Sequence, residues 1–338
     1  MSKDDTKIPY QFSVRTDLAV EARELLDESE TSEEPEGIEV SMEELYERRV
    51  KVTWVEVYNE AGANAMGKPV GNYITIESDA MKENDTEAHE EIMKILAKRL
   101  EKLRKLKKNA VVLVVGLGNW NVTPDALGPK VAAKILVTRH LSGNLPKELE
   151  GRVRPVSALS PGVMGLTGIE TGEIIKGVAE KIKPDLIIAI DALAARRTNR
   201  VNSTIQISDT GINPGAGVGN KRMSLSEQAL GVPVIAIGVP TVVDAATLVN
   251  DTMDRMLAAM AEQAPQGSEF FNMLGSLANE EKYHLIAEIL NPYAGNMFVT
   301  PKEVDAVIER LANIIANGIN IALHPGIKME DINRFINA

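Results

Sequence analysis

Two stretches decide the fold, VVLVVGLGNWNVTPDALGP (residues 111–129) and PDLIIAIDALAAR (residues 184–196). Each contains a short apolar run, VVLVV or LIIAI, bounded by turn residues, which predicts a strand covered on both faces. Each run leads into a Gly- or Ala-rich turn that carries an aspartate, Asp125 in the first and Asp191 in the second. Open α/β sheets gather ligands at the carboxyl ends of such strands, so the pattern places two carboxylates on one rim of one sheet. Two carboxylates within a few ångströms cannot both ionise easily; they share a proton and can act on a water as acid and base. That chemistry is hydrolytic. Each aspartate also has a structural reading. Asp125 stands at the entrance of a helix suggested by Gly128, Pro129 and Lys130 to Val137, and Asp191 ends its strand, where it suits an Asx-turn over Ala192 to Ala195. Their shared position on two independent strand-to-helix turns favours the site.

Outward from this pair, VRPVSAL (residues 153–159) and VIAIGV (residues 234–239) are further strands, separated by helical stretches. One intervening helix puts Ile174, Ile175, Val178, Ala179 and Ile182 on one face and is stopped by Pro184. The expected fold is α/β, with a wound, mostly parallel central sheet and flanking helices spanning residues 109–250. Ahead of it, VKVTWVEV (residues 50–57) and NYITI (residues 72–76) predict a small β element at the edge of the domain. An amphipathic helix then starts near Asp85, with Ile92, Ile95, Leu96, Leu100 and Leu103 on one side. The first 36 residues read as a solvated arm whose acidic run, Asp27, Glu28, Glu30, Glu33, Glu34 and Glu36, repels itself. Residues 251–338 are expected to be a helical C-terminal region packed on the core, ending in a helix pair at residues 280–290 and 301–321.

Composition narrows the function. Forty-eight acidic residues against 37 basic ones give a formal charge of −11, which, with 4% aromatic content, argues against nucleic-acid binding. The absence of cysteine excludes disulfides, thiolate metal sites and cysteine nucleophiles. No basic-then-apolar leader begins the sequence, and no apolar run approaches the ~18 residues of a spanning helix, so a soluble intracellular protein without a membrane partner is expected. The four histidines, His89, His140, His284 and His324, form no short-spaced pair, and neither a metal nor a cofactor is expected. GLGN (residues 116–119) lacks the third glycine of a dinucleotide fingerprint, and GINPGAGVGNKR (residues 211–222) does not match a P-loop. The triplet Asp209-Thr210-Gly211 is of the kind pepsin-type proteases use twice, but it stands alone here in an α/β chain. Arg196, Arg197 and Arg200 suit carboxylate pairing, holding a substrate acid, or a solvated helix face, and Asp244 suits the cap of a helix beginning at Ala245.

Six blocks carry a family resemblance: FSVRTDLAVEA (12–22), VVGLGNWNVTPDALGPK (114–130), RPVSALSPGVMGLTGIET (154–171), IIAIDALAAR (187–196), TIQISDTGINPGAGVGNKR (204–222) and VPVIAIGVPTVVDA (232–245). They resemble the germination protease family of endospore-forming bacteria, endopeptidases that degrade small acid-soluble spore proteins at germination. The resemblance implies that Asp125 and Asp191 are the catalytic pair of an atypical aspartic-type peptidase. It also implies a fold similar to hydrogenase maturation proteases, and an inactive zymogen that assembles as a homotetramer in the forespore and spore core. Residues 1–17 become a propeptide that the enzyme removes at Asp17–Leu18, and VRTD/LAVE has the acidic-then-apolar character of the family's cleavage sites. Residues 18–108 then hold the acidic linker, the β element and the amphipathic helix. Asn119, Arg196, Asp209 and Lys221 are candidates for supporting the aspartates or touching substrate. Two other classes stay open on the residues themselves: a metal-dependent hydrolase using the same acids as ligands, and a non-enzymatic α/β ligand-binding protein using GLGN. Relatives can carry a longer segment near residues 263–269.

Overall fold

The computed structural model describes residues 16–28, 36–143, 151–213, 223–263, 286 and 297–327. Its strands are β1 (Ile38–Leu45), β2 (Val50–Val57), β3 (Gly71–Glu77), β4 (Val112–Gly116), β5 (Val156–Leu159), β6 (Leu186–Ala195), β7 (Thr204–Ser208), β8 (Val234–Asp244) and β9 (Phe298–Val299). The longer helices are α1 (Ala19–Glu28), α2 (Glu60–Met66), α3 (Thr86–Leu103), α4 (Leu127–Ala132), α5 (Thr171–Ile182), α6 (Ala245–Gln263) and α7 (Val304–Leu323). The strands form one sheet in the order β1-β2-β3-β7-β8-β6-β4-β5, with β9 against β8.

The fold is α/β, but the expectation of a mostly parallel wound sheet is corrected. β5, β4, β6 and β8 run parallel, as the strand-helix alternation predicts. Every other pairing, β1–β2, β2–β3, β3–β7, β7–β8 and β8–β9, is antiparallel. The connection from β1 to β2 is too short for the crossover a parallel pair needs. β7 then lies between β3 and β8, so the N-terminal β element stays at one edge and is hydrogen-bonded into the central sheet. β1 and β7 escaped the sequence reading for different reasons: IEVSMEEL is acidic and mostly exposed, and TIQIS is only five residues long.

Side-chain alternation sorts the sheet into two faces. On one, Val112, Val114, Ile188, Ile190, Ile235 and Ile237 pack in the core that α3, α4 and α7 cover. On the other, Leu113, Val115, Ile187, Ala189 and Val234 meet Ile175 and Ala179 of α5. The expected caps form: Asp85 accepts the Ala88 N–H (3.0 Å) and Asp244 the Ala246 N–H (2.8 Å). α7 is apolar and long enough to cross a membrane by length and composition alone; here most of it is buried against the protein's own helices. Of the C-terminal pair, the segment at 280–290 lies outside the described residues except Ile286.

The beginning of the chain is not a solvated arm over its described part. Residues 16–18 lead into α1, and Leu18, Ala19 and Glu21 are fully buried. A carboxylate at such depth requires compensation. Glu21 accepts the N–H groups of Arg196 (2.8 Å) and Arg197 (3.0 Å) and the hydroxyl of Thr16. Arg200, also buried, bonds Glu24 with both terminal nitrogens (2.8 and 2.6 Å) and Glu77 through Nε (2.8 Å). Of the readings of these arginines, carboxylate pairing holds for Arg200. Arg200→Met leaves Glu21, Glu24 and Glu77 without their shared cation and should cost about 3 kcal/mol. Urea denaturation of the full chain measures it; an unchanged midpoint would show that the cluster does not hold α1 to the sheet.

Candidate active site

β4 stops at Gly116, opposite Ile190, while β6 runs on to Ala195 against β8. Past Gly116 the chain folds back: the Leu117 N–H still reaches the Ile190 carbonyl (2.8 Å), and then GLGN turns away from the sheet. Gly118 has φ +110°, and a Cβ there would lie 2.0 Å from the Asp125 carbonyl oxygen, so only glycine fits. This tight turn aims the Asn119 N–H at Asp125, bonding Oδ2 at 2.8 Å and the backbone oxygen at 3.1 Å. GLGN is therefore a bracket that fixes Asp125, which is half-buried at the end of a single 3-10 turn ahead of α4.

Asp191 is corrected in position. It does not end its strand; β6 continues through the Ala-rich DALAA, whose weak β propensity hid it, because β8 supplies a partner along that length. Asp191 is buried, opposite Gly238, and its Oδ1 accepts the Ala192 N–H at 2.9 Å. Around it the same face of the sheet carries Ala236 and Gly238 of β8 and Gln206 and Ser208 of β7, while Ile205 and Ile207 point to the opposite core. Small and polar residues leave a cavity of about 890 Å³, and Asp125 and Asp191 both line it.

Asp17 lines that cavity too. Pro240 has no N–H to give the sheet, and the β6–β8 register shifts there, with Leu193 opposite Pro240 and Ala194 opposite Val242. Beyond the point where β4 leaves, Ala194 turns its polar backbone to Asp17: its N–H bonds Asp17 Oδ2 (3.0 Å) and its carbonyl accepts the Asp17 N–H (3.4 Å). Leu18 is fully buried in a cluster with Val20 and Leu193, a burial that contributes about 2 kcal/mol. Two residues that the sequence reading missed complete the contact. Lys68 Nζ and Gln206 Nε2 both donate to the Asp17 carbonyl, at 3.0 and 3.1 Å. Gln206 had a legible signal, a polar residue at the alternate position of TIQIS; Lys68, in the turn before β3, had none.

The other candidates divide. Asn119 acts through its backbone on Asp125, and its side chain braces the turn at Asn121 N–H (3.0 Å). Asp209 lines the cavity but is tied to β3, accepting the Asn72 N–H and Nδ2, both at 2.8 Å. Arg196 is not part of the cavity lining, and its N–H serves Glu21. Lys221 and most of the glycine-rich loop lie outside the described residues. Among the described residues no three His, Asp or Glu side chains are grouped to hold a metal ion. His89 and His324 bond backbone carbonyls of Ala80 (2.9 Å) and Leu136 (3.2 Å), and burial pulls His324 down to about 4.

Comparison with known proteins fixes the class. The germination protease family model matches residues 19–267 and 260–336. The chain is 57% identical to a germination protease of Clostridium tetani over 326 residues, covering 96% of this chain and 100% of the relative. It is 54% identical to one from Clostridium perfringens strain 13, with the same coverage. With one from Bacillus cereus ATCC 10987 it is 48% identical over 361 residues, covering 96% of this chain and 97% of that protein. An aligned length above the 338 residues of this chain requires extra residues in that relative. The chain belongs to the germination protease family. It is accordingly a peptidase.

The docked segment titrates in two opposing ways. Burial pushes the Asp17 carboxyl up from 3.8, against the Ala194 N–H and Lys68. Docking therefore gains as pH falls through that raised value, and this contribution is lost as pH rises through it. For Glu24 burial works upward, but the Arg200 hydrogen bonds and charge prevail and hold it below 4.5, so its contribution is lost as pH falls through the lowered value. In an Asp191→Asn chain, Asp17→Asn should remove the part of the amide-exchange protection of Ala19 and Ala22 that is lost as pH rises, and Glu24→Gln the part that is lost as pH falls. A pH profile of protection that neither substitution changes would refute this balance.

Proposed function

We propose that the protein is an endopeptidase of small acid-soluble spore proteins, made as a zymogen that cuts its own Asp17–Leu18 bond, with Asp125 and Asp191 activating the water. The observation that carries this reading is the location of Asp17 in the cavity that both aspartates line, with its side chain bonded to Ala194 and Leu18 seated in an apolar cluster. An acidic residue before the bond and an apolar one after it each have a place. Family membership supports the substrate, the aspartic-type class, a homotetramer, and action in the cytoplasm of the forespore and spore core.

In the proposed reaction one aspartate is ionised and takes a proton from water as its oxygen attacks the Asp17 carbonyl carbon. The other, protonated, hydrogen-bonds the carbonyl. Collapse breaks the bond to Leu18 nitrogen, which takes up a proton, giving a carboxyl on Asp17 and an amine on Leu18. The propeptide then ends at Asp17.

Asp191→Asn and Asp125→Asn should each abolish the appearance of a chain beginning at Leu18, followed by intact mass and N-terminal sequencing at mildly acidic pH. Processing at the wild-type rate in either variant would remove that aspartate from the mechanism. EDTA should leave the wild-type rate unchanged; a loss restored by added divalent metal would favour metal-assisted hydrolysis on the same acids.

A further inference from the structure

The Asp17 carbonyl oxygen receives two side-chain donors from separate elements, Lys68 from the turn before β3 and Gln206 from the middle of β7. The Gln206 amide has a defined orientation, because its two partners have fixed roles: the Ala19 N–H can only donate and meets Oε1 at 2.6 Å, so Nε2 faces the carbonyl. Lys68 Nζ also reaches the Thr16 carbonyl, at 3.4 Å. Other contacts already dock the segment: the Ala194 bonds to Asp17, the burial of Leu18 and the Glu21 contacts to Arg196 and Arg197. A buried cation and an amide directed at one carbonyl oxygen exceed what docking requires.

Resting on the assignment of Asp17–Leu18 as the scissile bond and of the aspartate pair, the geometry points to Lys68 and Gln206 as catalytic residues. They polarise the scissile carbonyl and stabilise the oxyanion that forms on it. When water oxygen bonds to the Asp17 carbonyl carbon, the C=O π pair moves to oxygen and one water proton passes to the ionised aspartate. The negative charge then sits between Lys68 Nζ and Gln206 Nε2, where preorganised donors strengthen more in the transition state than in the ground state. On collapse the pair returns, the C–N bond breaks and its electrons stay on Leu18 nitrogen. The protonated aspartate shares the carbonyl with these two donors, and the aspartate that took the proton from water gives it to that nitrogen. Burial pulls the Lys68 ammonium below the ordinary lysine range while Asp17 and Glu21 oppose it, so the charge developing on the carbonyl further favours the protonated amine.

The test uses the full-length chain and its Lys68→Met and Gln206→Glu variants, the second keeping an oxygen for the Ala19 N–H while losing the donor. The first-order appearance of a chain beginning at Leu18 should slow about 100-fold or more in each. The same substitutions are made in an Asp191→Asn background, where hydrogen exchange of residues 16–22 reports docking. Slowed cleavage with unchanged exchange is the expected result. Cleavage within about threefold of wild type overturns the assignment, and so does slowing matched by lost protection, which marks a purely structural contact. Processing by Asp191→Asn alone would instead overturn the aspartate mechanism on which this one rests, so the two failures are distinguishable.

Discussion

The pairing of β6 with β8 past the end of β4 is the constraint on which the site depends. β4 leaves the sheet at Gly116, opposite Ile190, and β6 continues with a partner on one side only. That unpaired side of β6 must find other hydrogen bonds, since buried backbone groups are costly to leave unmade. Leu117 satisfies Ile190, and Asp17 takes Ala194. The early exit of β4 creates both the opening in which Asp191 sits and the edge on which the N-terminal segment lies.

Glycine makes that exit possible. A Cβ at Gly116 would come within 2.0 Å of the Gly128 carbonyl, and one at Gly118 equally close to that of Asp125. The strand end, the turn and the start of α4 therefore pack backbone against backbone. The glycine-rich turn that resembles a phosphate cradle instead directs its Asn119 N–H at a carboxylate of its own chain. The same economy of side-chain volume operates across the sheet, where a Cβ at Gly238, opposite Asp191, would come 2.3 Å from the Leu193 side chain, so glycine there makes room for Leu193.

The docked segment combines strong anchors with groups that dislike their setting. Glu21 and Arg200 are buried with their charges compensated, and they hold α1 against β6 and β3. Asp17 and Lys68 are displaced by burial toward their neutral forms. A peptide bond flanked by two such groups in a cavity lined by two aspartates has an environment quite unlike that of an exposed tail, although the acidic sequence that follows gave it that appearance.

Much of this was legible in the sequence. The apolar runs at 112–116 and 186–190, the α3 face from Ile92 to Leu100, and the α5 face at Ile175 and Ala179 are local patterns whose period fixes their burial. Asp125 and Asp191 stood out because each follows such a run, and the family blocks are contiguous stretches. What only the tertiary structure decided was non-local. Strand pairing made β1, β2, β3 and β7 an antiparallel extension of the parallel strands, and it carried β6 beyond Asp191. Lys68 and Gln206 meet the Asp17 carbonyl from positions 51 and 189 residues away in the chain. Periodicity reports which face of its own element a residue occupies; which distant residues share that space is set by how the elements pair and pack.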